Sequence, residues 1–455
     1  MPDDQLDRDR RRDQRHLIHS LHNAALQREA HIWTSGRGAI LVDEDGREYL
    51  DALAGLWNVI VGHGRTELGR AAAAQMERLG FASTYAGGSN RPAIELAERL
   101  AGLCYPHIQR FFFTCGGAEA NEAAFKTARF FWKLNGKPDK TKIVSRTWGY
   151  HGTTLAAMSA TGIASYWPMF EPRVPGFLQI DSPYPYRFRP PAGAPAGDTR
   201  TPGQIAADLL EAAILREGAD SVAAFIGEPV QGAGGVIVPP DDYWPRIRQI
   251  CDRRQVLLIA DEVITGFGRT SDWFALGRWG VEPDIVSFAK GITSGYVPLG
   301  GIGVSDAIGA ALDAAAPPQT WMQAFTYSAH PVGCAVALAN LDILEREKLL
   351  PRARELGDRL VSRLRTLESH PHVGEVRGLG LMAAVELVAD KASRAEFPAA
   401  EQVGGKVHAA TQQRGMFTRM RGDIYNFAPC YVTREDQLDR MVEILGESIE
   451  AVLGR

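Results

Sequence analysis

The sequence is short of cysteine, of charge of one sign and of long hydrophobic runs, and each shortage removes a class of function. Its five cysteines, Cys104, Cys115, Cys251, Cys334 and Cys430, are spread over 455 residues and never form a CxxC pair. Such spacing builds neither a zinc site nor a disulfide framework, so no metal is expected. Lysine and arginine total 50 against 54 aspartate and glutamate, a net charge of −4. That balance gives nucleic acid or an anionic membrane surface nothing to bind. No apolar run reaches 18 residues, and the chain starts on charged residues with no apolar core behind them. Neither a membrane span nor a secretory leader is read, and a cytoplasmic protein is expected. Within residues 1–15 the aspartates and arginines cancel, which reads as a solvated helix start.

What is present is an ordinary globular composition, 45% hydrophobic and 23% charged, in a chain too long for one compact core. Three parts are expected: residues 1–64 joining a smaller domain, a large domain over 65–325, and the smaller domain itself over 326–455. From about residue 65, helical and strand patterns alternate as in a mostly parallel, doubly wound α/β sheet. Short apolar strands are read at 110–114, 142–145, 222–226, 256–260 and 284–289. A helix is read over 118–134, with Glu122 and Lys126 placed to pair. Residues 38–51 read as a hairpin, and the proline- and glycine-rich 181–203 as a surface excursion. The segment 374–387 reads as one alternating strand. Its GLGLMA run formally fits a dinucleotide pattern but precedes a strand instead of linking strand to helix, so it carries no site.

In an open α/β sheet, ligands sit beyond the carboxyl ends of the strands. The strand at 284–289 delivers Lys290 into a run of glycines, where lost hydration favours the neutral, nucleophilic amine. The strand at 256–260 delivers Asp261 and Glu262; a carboxylate ending so apolar a run needs a strong partner, either a protonated heterocycle or Arg269. Gly116, Gly117 and Ala118 open a helix and leave its first N–H groups free for a phosphate. Tyr150, between Gly149 and His151 at another strand end, can lie flat on a planar ring, and Glu228 ends the strand at 222–226. A phosphate seat, a flat aromatic, two carboxylates and a desolvated lysine at one edge together fit pyridoxal 5'-phosphate.

Four motifs carry a family resemblance: GEPVQGAGG at 227–235, DEVITGFGRT at 261–270, PDIVSFAKGITSGYVPLGG at 283–301 and FTYSAHPVGC at 325–334. In their order and separation the chain resembles the class III pyridoxal-phosphate aminotransferases, the group that contains the ω-transaminases. The resemblance implies the fold type I architecture, with a large domain and a smaller α+β domain from both chain ends. It also implies that Lys290 holds the cofactor as a Schiff base and shuttles the substrate proton, while Asp261 keeps the ring nitrogen protonated. By the same resemblance Val263 and Tyr150 flank the ring, Gly117 and Ala118 seat the phosphate, and Thr326 reaches the phosphate of a neighbouring subunit, making a homodimer or dimer of dimers. Trp57 and Tyr85 fall at pocket-wall positions, and Arg419 where a mobile loop arginine binds the acceptor carboxylate; Arg421 beside it reads as solvated. The chain departs from the family in carrying Ala118 for a serine and Gly116 for a small polar residue. The implied reaction moves an amino group from an ω-amino compound or amine to a keto acid such as pyruvate. Taurine, β-alanine, a diamine and an arylalkylamine all fit as donors. An aminomutase, racemase or decarboxylase would need the same lysine and aspartate, and a non-catalytic binding protein would need neither.

Overall fold

The computed structural model describes residues 2–85, 87–190 and 199–454. Its centre is a seven-stranded sheet, in spatial order Ile108–Thr114, Gly300–Ser305, Ile285–Phe288, Leu257–Asp261, Val222–Gly227, Lys142–Arg146, Phe177–Ile180. Only Gly300–Ser305 runs antiparallel to its neighbours. The inner strands are buried along their whole length, which is why they read as unbroken apolar runs.

Two strands of this sheet carry no strand signature. Gly300–Ser305 reads as turns because of its glycines, yet the pairing itself demands them. A Cβ on Gly301 would stand 2.6 Å from the Phe112 carbonyl oxygen, and one on Gly303 2.5 Å from Ile108. The strand passes too close to its neighbours for side chains there. Phe177–Ile180 is a four-residue strand on the far edge, too short to stand out.

Both chain ends build the smaller part. Trp33–Arg37, Ile40–Asp43 and Glu48–Asp51 form an antiparallel run that Met416–Phe417 extends in parallel. A second sheet runs Val373–Gly378, Ala383–Leu387, Ile424–Phe427, Arg419–Arg421. The single strand expected over 374–387 is therefore a hairpin: the chain turns at Leu379 and Gly380, because Gly380 sits against the backbone of Thr270, where no Cβ fits. Helices Leu349–Arg365 and Glu435–Leu453 cover the smaller part, with Leu356, Leu360 and Leu364 buried as their spacing requires.

Two further expectations change. Glu122 does not pair with Lys126; it accepts the Thr154 hydroxyl (2.5 Å) and the amides of Ala156 and Ala157 (3.1 Å each), capping the helix Leu155–Ala160, while Lys126 donates to the Met322 carbonyl. The excursion at 181–203, of which 191–198 lie outside the described residues, is not a free surface loop at its start. Tyr184 and Arg187 reach across to Glu386 of the second small sheet, Arg187 Nε at 2.7 Å.

Candidate active site

The strand ends converge on a cavity of about 380 Å³, lined among others by Gly116, Gly117, Ala118, Tyr150, Asp261 and Lys290. Lys290 follows the strand Ile285–Phe288 in a left-handed conformation, φ 51°. For a residue with a side chain that conformation costs on the order of 1–3 kcal/mol. It persists because the turn after it is pinned: Asn340, fully buried, donates to the carbonyls of Gly291 (2.9 Å) and Ile292 (3.0 Å). Burial brings the Lys290 amine down to about 8, against the pull of Asp261 and Glu228, which favour the charged form.

Asp261 ends its strand 3% exposed. Its Oδ2 accepts from His151 Nδ1 at 2.7 Å and Asn121 Nδ2 at 2.8 Å, and its Oδ1 accepts from the amide of Val263 at 3.2 Å. Arg269 pairs with neither Asp261 nor Glu262. It is buried against the face of Tyr431 and donates to the carbonyls of Leu381 (3.0 Å) and Pro429 (2.7 Å), bracing the smaller part of the molecule. Glu262 turns the other way, since successive residues of a strand face opposite sides. It accepts from Tyr105 (2.6 Å) and from the amides of Ala275 and Leu276 (3.0 Å each). Glu228 accepts the amides of Tyr150 (2.9 Å) and Gly232 (3.0 Å), fixing the strand end that carries the aromatic; burial raises its pKa.

At the other end of the cavity the helix Gly117–Leu134 begins with no side-chain cap. A Cβ on Gly116 would enter open space, whereas one on Gly117 would lie 2.9 Å from both Val263 methyls. Uncapped N–H groups, a hydrophobic wall at Val263, the ring of Tyr150, a buried carboxylate and an amine stand in one enclosure. That donor set fits pyridoxal phosphate from phosphate to aldehyde.

The residues matching the family model described as "Aminotransferase class-III" run from 24 to 449. The chain belongs to the class III aminotransferases. It is similar to a putrescine–pyruvate aminotransferase of Pseudomonas aeruginosa, 40% identical with 93% of this chain and 91% of that one covered. A thermostable (S)-enantioselective ω-transaminase from Thermomicrobium roseum superposes with a TM-score of 0.93 at 48% identity, covering 98% and 99% of the two chains. An ω-transaminase from Pseudomonas jessenii in complex with PMP superposes with a TM-score of 0.91 at 38% identity, over 98% and 99%. The class III enzyme therefore has the type I fold, uses pyridoxal phosphate, and moves an amino group from an amine to a keto acid.

Other residues singled out in the sequence lie elsewhere in this aminotransferase. Trp57 is 2% exposed and packs with Leu53, Val230 and Ile264; its neighbour Asn58 and Ile264 line the cavity. Tyr85 is 69% exposed and Thr326 is exposed, and neither lines the cavity of its own chain. Arg419 is not on a loop but opens the short strand Arg419–Arg421, paired in register with Ile424–Phe427. It is half-buried and donates Nη2 to the Tyr166 hydroxyl at 3.5 Å, with Tyr166 set edge-on to Tyr150. Arg421 is not solvated: it stacks 4.2 Å over the Trp148 ring and donates Nε to the Gly234 carbonyl at 2.9 Å. Asn121 was missed. Its place one helical turn beyond Gly117 was the available signal, because that spacing returns a side chain to the face of the helix start.

Proposed function

We propose that this aminotransferase takes an ω-amino compound or a simple primary amine as donor and pyruvate as acceptor, with Lys290 and Asp261 as its catalytic pair. The observation that carries the reading is the desolvated Lys290 amine, with a pKa lowered to about 8, in one cavity with the doubly held Asp261 carboxylate. Bound pyridoxal phosphate supplies an electron sink for the charge released at the substrate carbon. Lys290 Nζ, on its rigid turn, takes the proton from that carbon and returns it. Asp261 would hold the proton on the ring nitrogen, and His151 and Asn121 aim its carboxylate. Gly116, Gly117 and Ala118 would seat the phosphate; Tyr150 and Val263 would enclose the ring. Ala118 offers no hydroxyl there, so the backbone N–H groups carry more of the binding.

Arg419 is the residue read as holding the acceptor carboxylate. It has no carboxylate within 4 Å among the described residues, so its charge is left unspent. Arg421, held by Trp148 and Gly234, is a poor competitor for that role. The expected result for Arg419→Ala is a KM for pyruvate raised roughly ten- to a hundredfold, the worth of a charge-assisted hydrogen bond of about 1.5–3 kcal/mol. The half-reaction with an amine that lacks a carboxylate should be unchanged. Measuring the two half-reactions separately decides it, and an equal fall in both would make Arg419 structural. A panel of amines with pyruvate and 2-oxoglutarate, followed by the cofactor's absorbance, tests donor and acceptor; failure of every amine with pyruvate would sink the substrate reading.

The assembly we read is a homodimer or a dimer of dimers with shared sites. Phe81 and Tyr327 form an exposed aromatic pair beside Thr326, Tyr85 is exposed on the segment after Phe81, and the two segments are tied as Asn90 Nδ2 donates to the Ala329 carbonyl at 2.9 Å. An apolar face of that kind marks a contact surface, and it would bring Thr326 and Tyr85 to the partner's cavity. Sedimentation is expected to find all activity in the dimer or larger; a fully active monomer would contradict it. The five unpaired cysteines suit the reducing cytoplasm.

A further inference from the structure

A second polar pocket, of about 260 Å³, lies between the strand end at Trp148, the start of the 181–203 segment and the hairpin that carries Arg419. Tyr184, Arg187, Glu396, Arg421 and Asp423 share its wall with Trp148. Most polar groups around it are spoken for. Glu386 is saturated by Tyr184, Arg187 (2.7 Å) and Arg377 (2.7 Å). Two are not. Arg421 has no carboxylate within 4 Å among the described residues; its guanidinium is fixed by Gly234 on Nε and by the Trp148 ring, and its terminal N–H groups are placed without a partner among the described residues. Asp423, two residues on, has no cationic partner among the described residues, only the Gly404 amide at 2.8 Å on Oδ1. The two lie either side of Gly422 (φ 57°) and do not pair with each other.

An unpaired cation and an unpaired anion held apart in one pocket are complementary to a molecule carrying both charges. Burial raises Asp423 above the ordinary carboxylate range, and Glu396 and Glu386 add to this against the Gly404 N–H. An incoming ammonium would relieve that strain. Burial likewise lowers Arg421, outweighing Tyr184, Glu386 and Glu396, which favour its charged form without touching it. Trp148 and Tyr184 offer aromatic surface to a short aliphatic body. We propose that this pocket is a second binding site for zwitterionic amino acids, with the carboxylate on Arg421 and the ammonium on Asp423.

The chemistry of the enzyme gives such a site a ligand, because amination of any keto acid yields an amino acid. The pocket is also coupled by covalent structure to the catalytic cavity. Trp148 stands two residues before Tyr150, and Arg421 two residues after Arg419 on the same strand. On a strand, residues two apart share a face about 6–7 Å apart. Occupancy at Arg421 therefore bears on the position of Arg419.

The test is equilibrium binding to holoenzyme reduced with borohydride, so that the cofactor is fixed on Lys290 and turnover is impossible. The probe is 4-aminobutyrate, with n-butylamine and butyrate as single-charge controls. Saturable binding is expected, at least tenfold tighter than either control, kept in Arg419→Ala and weakened at least tenfold in Arg421→Gln and in Asp423→Asn. Asp423→Asn guards against an Arg421→Gln variant that disturbs the Trp148 stack, and its melting temperature should match the wild type. No saturable binding, controls as tight as the zwitterion, or binding lost in Arg419→Ala but kept in the other two variants would overturn the proposal. None of these outcomes bears on whether pyruvate is the acceptor.

Discussion

Replacement of Lys290 by alanine is expected to remove turnover, with kcat down by on the order of 10⁴ or more, and to remove the visible band of the bound cofactor. General base catalysis alone accounts for about 10²–10⁴, and Lys290 has a covalent role besides. A lowered pKa by itself does not mark this residue. Lys140 is also buried and also brought down to about 8. Its ammonium, however, is spent on the carbonyls of Ala219 (2.9 Å), Val222 (3.0 Å) and Gln255 (2.7 Å) and on the face of Trp132. Lys290 has no such acceptors among the described residues and opens on the cavity.

The contrast yields a pH dependence that can be read on the apoenzyme. The folded value of Lys290 lies below the ordinary lysine value, so its neutral fraction rises through pH 8, two units before surface lysines respond. Labelling by an amine-directed reagent should follow that midpoint at Lys290 and spare Lys140. A labelling midpoint near 10, or transamination by Lys290→Ala without an added amine, would defeat the assignment.

Much of the site was legible because each catalytic group stands where a buried strand ends, and buried strands announce themselves as apolar runs. Asp261 follows five apolar residues in a row and Lys290 an apolar strand broken only by Ser287, and a charge after such a run has few structural explanations. The partners of those charges were not legible. Arg269 is eight residues from Asp261 and of the right sign, yet the chain's turn carries it to the opposite side, onto carbonyls of the smaller part. His151 and Asn121 hold Asp261 from 110 and 140 residues away, contacts that no local pattern encodes. Gly300–Ser305 shows the converse failure. Its glycines signal turns in isolation, but here they answer to the closeness of two neighbouring strands that are remote in sequence. The arginines of the 419–423 hairpin were misread for a related reason. Gly422 and Asp423 mark a turn, and the turn is there, but the strand on either side is set by Ile424–Phe427 already lying in the sheet.

Asp261→Asn is expected to lower kcat by on the order of 10²–10³, the range found when one preorganised electrostatic contact to a developing charge is removed. An amide cannot hold a proton on the ring nitrogen by charge. The surroundings add a second cost that does not depend on the cofactor. Asp261 Oδ2 is met by two donors, His151 Nδ1 and Asn121 Nδ2, and Oδ1 by a third, the Val263 amide. An asparagine places an NH₂ on one of those sides whichever way it turns. Towards Val263 it meets a backbone donor that cannot change. Towards His151 the imidazole can switch tautomer and accept, but Asn121 cannot follow. Its Nδ2 also donates to the His151 carbonyl at 2.8 Å, and flipping the amide would set two oxygens against each other. Every arrangement leaves one buried donor unmatched, at about 1–3 kcal/mol. The apo variant should therefore lose stability by about that amount, read as the midpoint of denaturant unfolding. A variant as stable and as fast as the wild type would show that the carboxylate at 261 is not the group that matters.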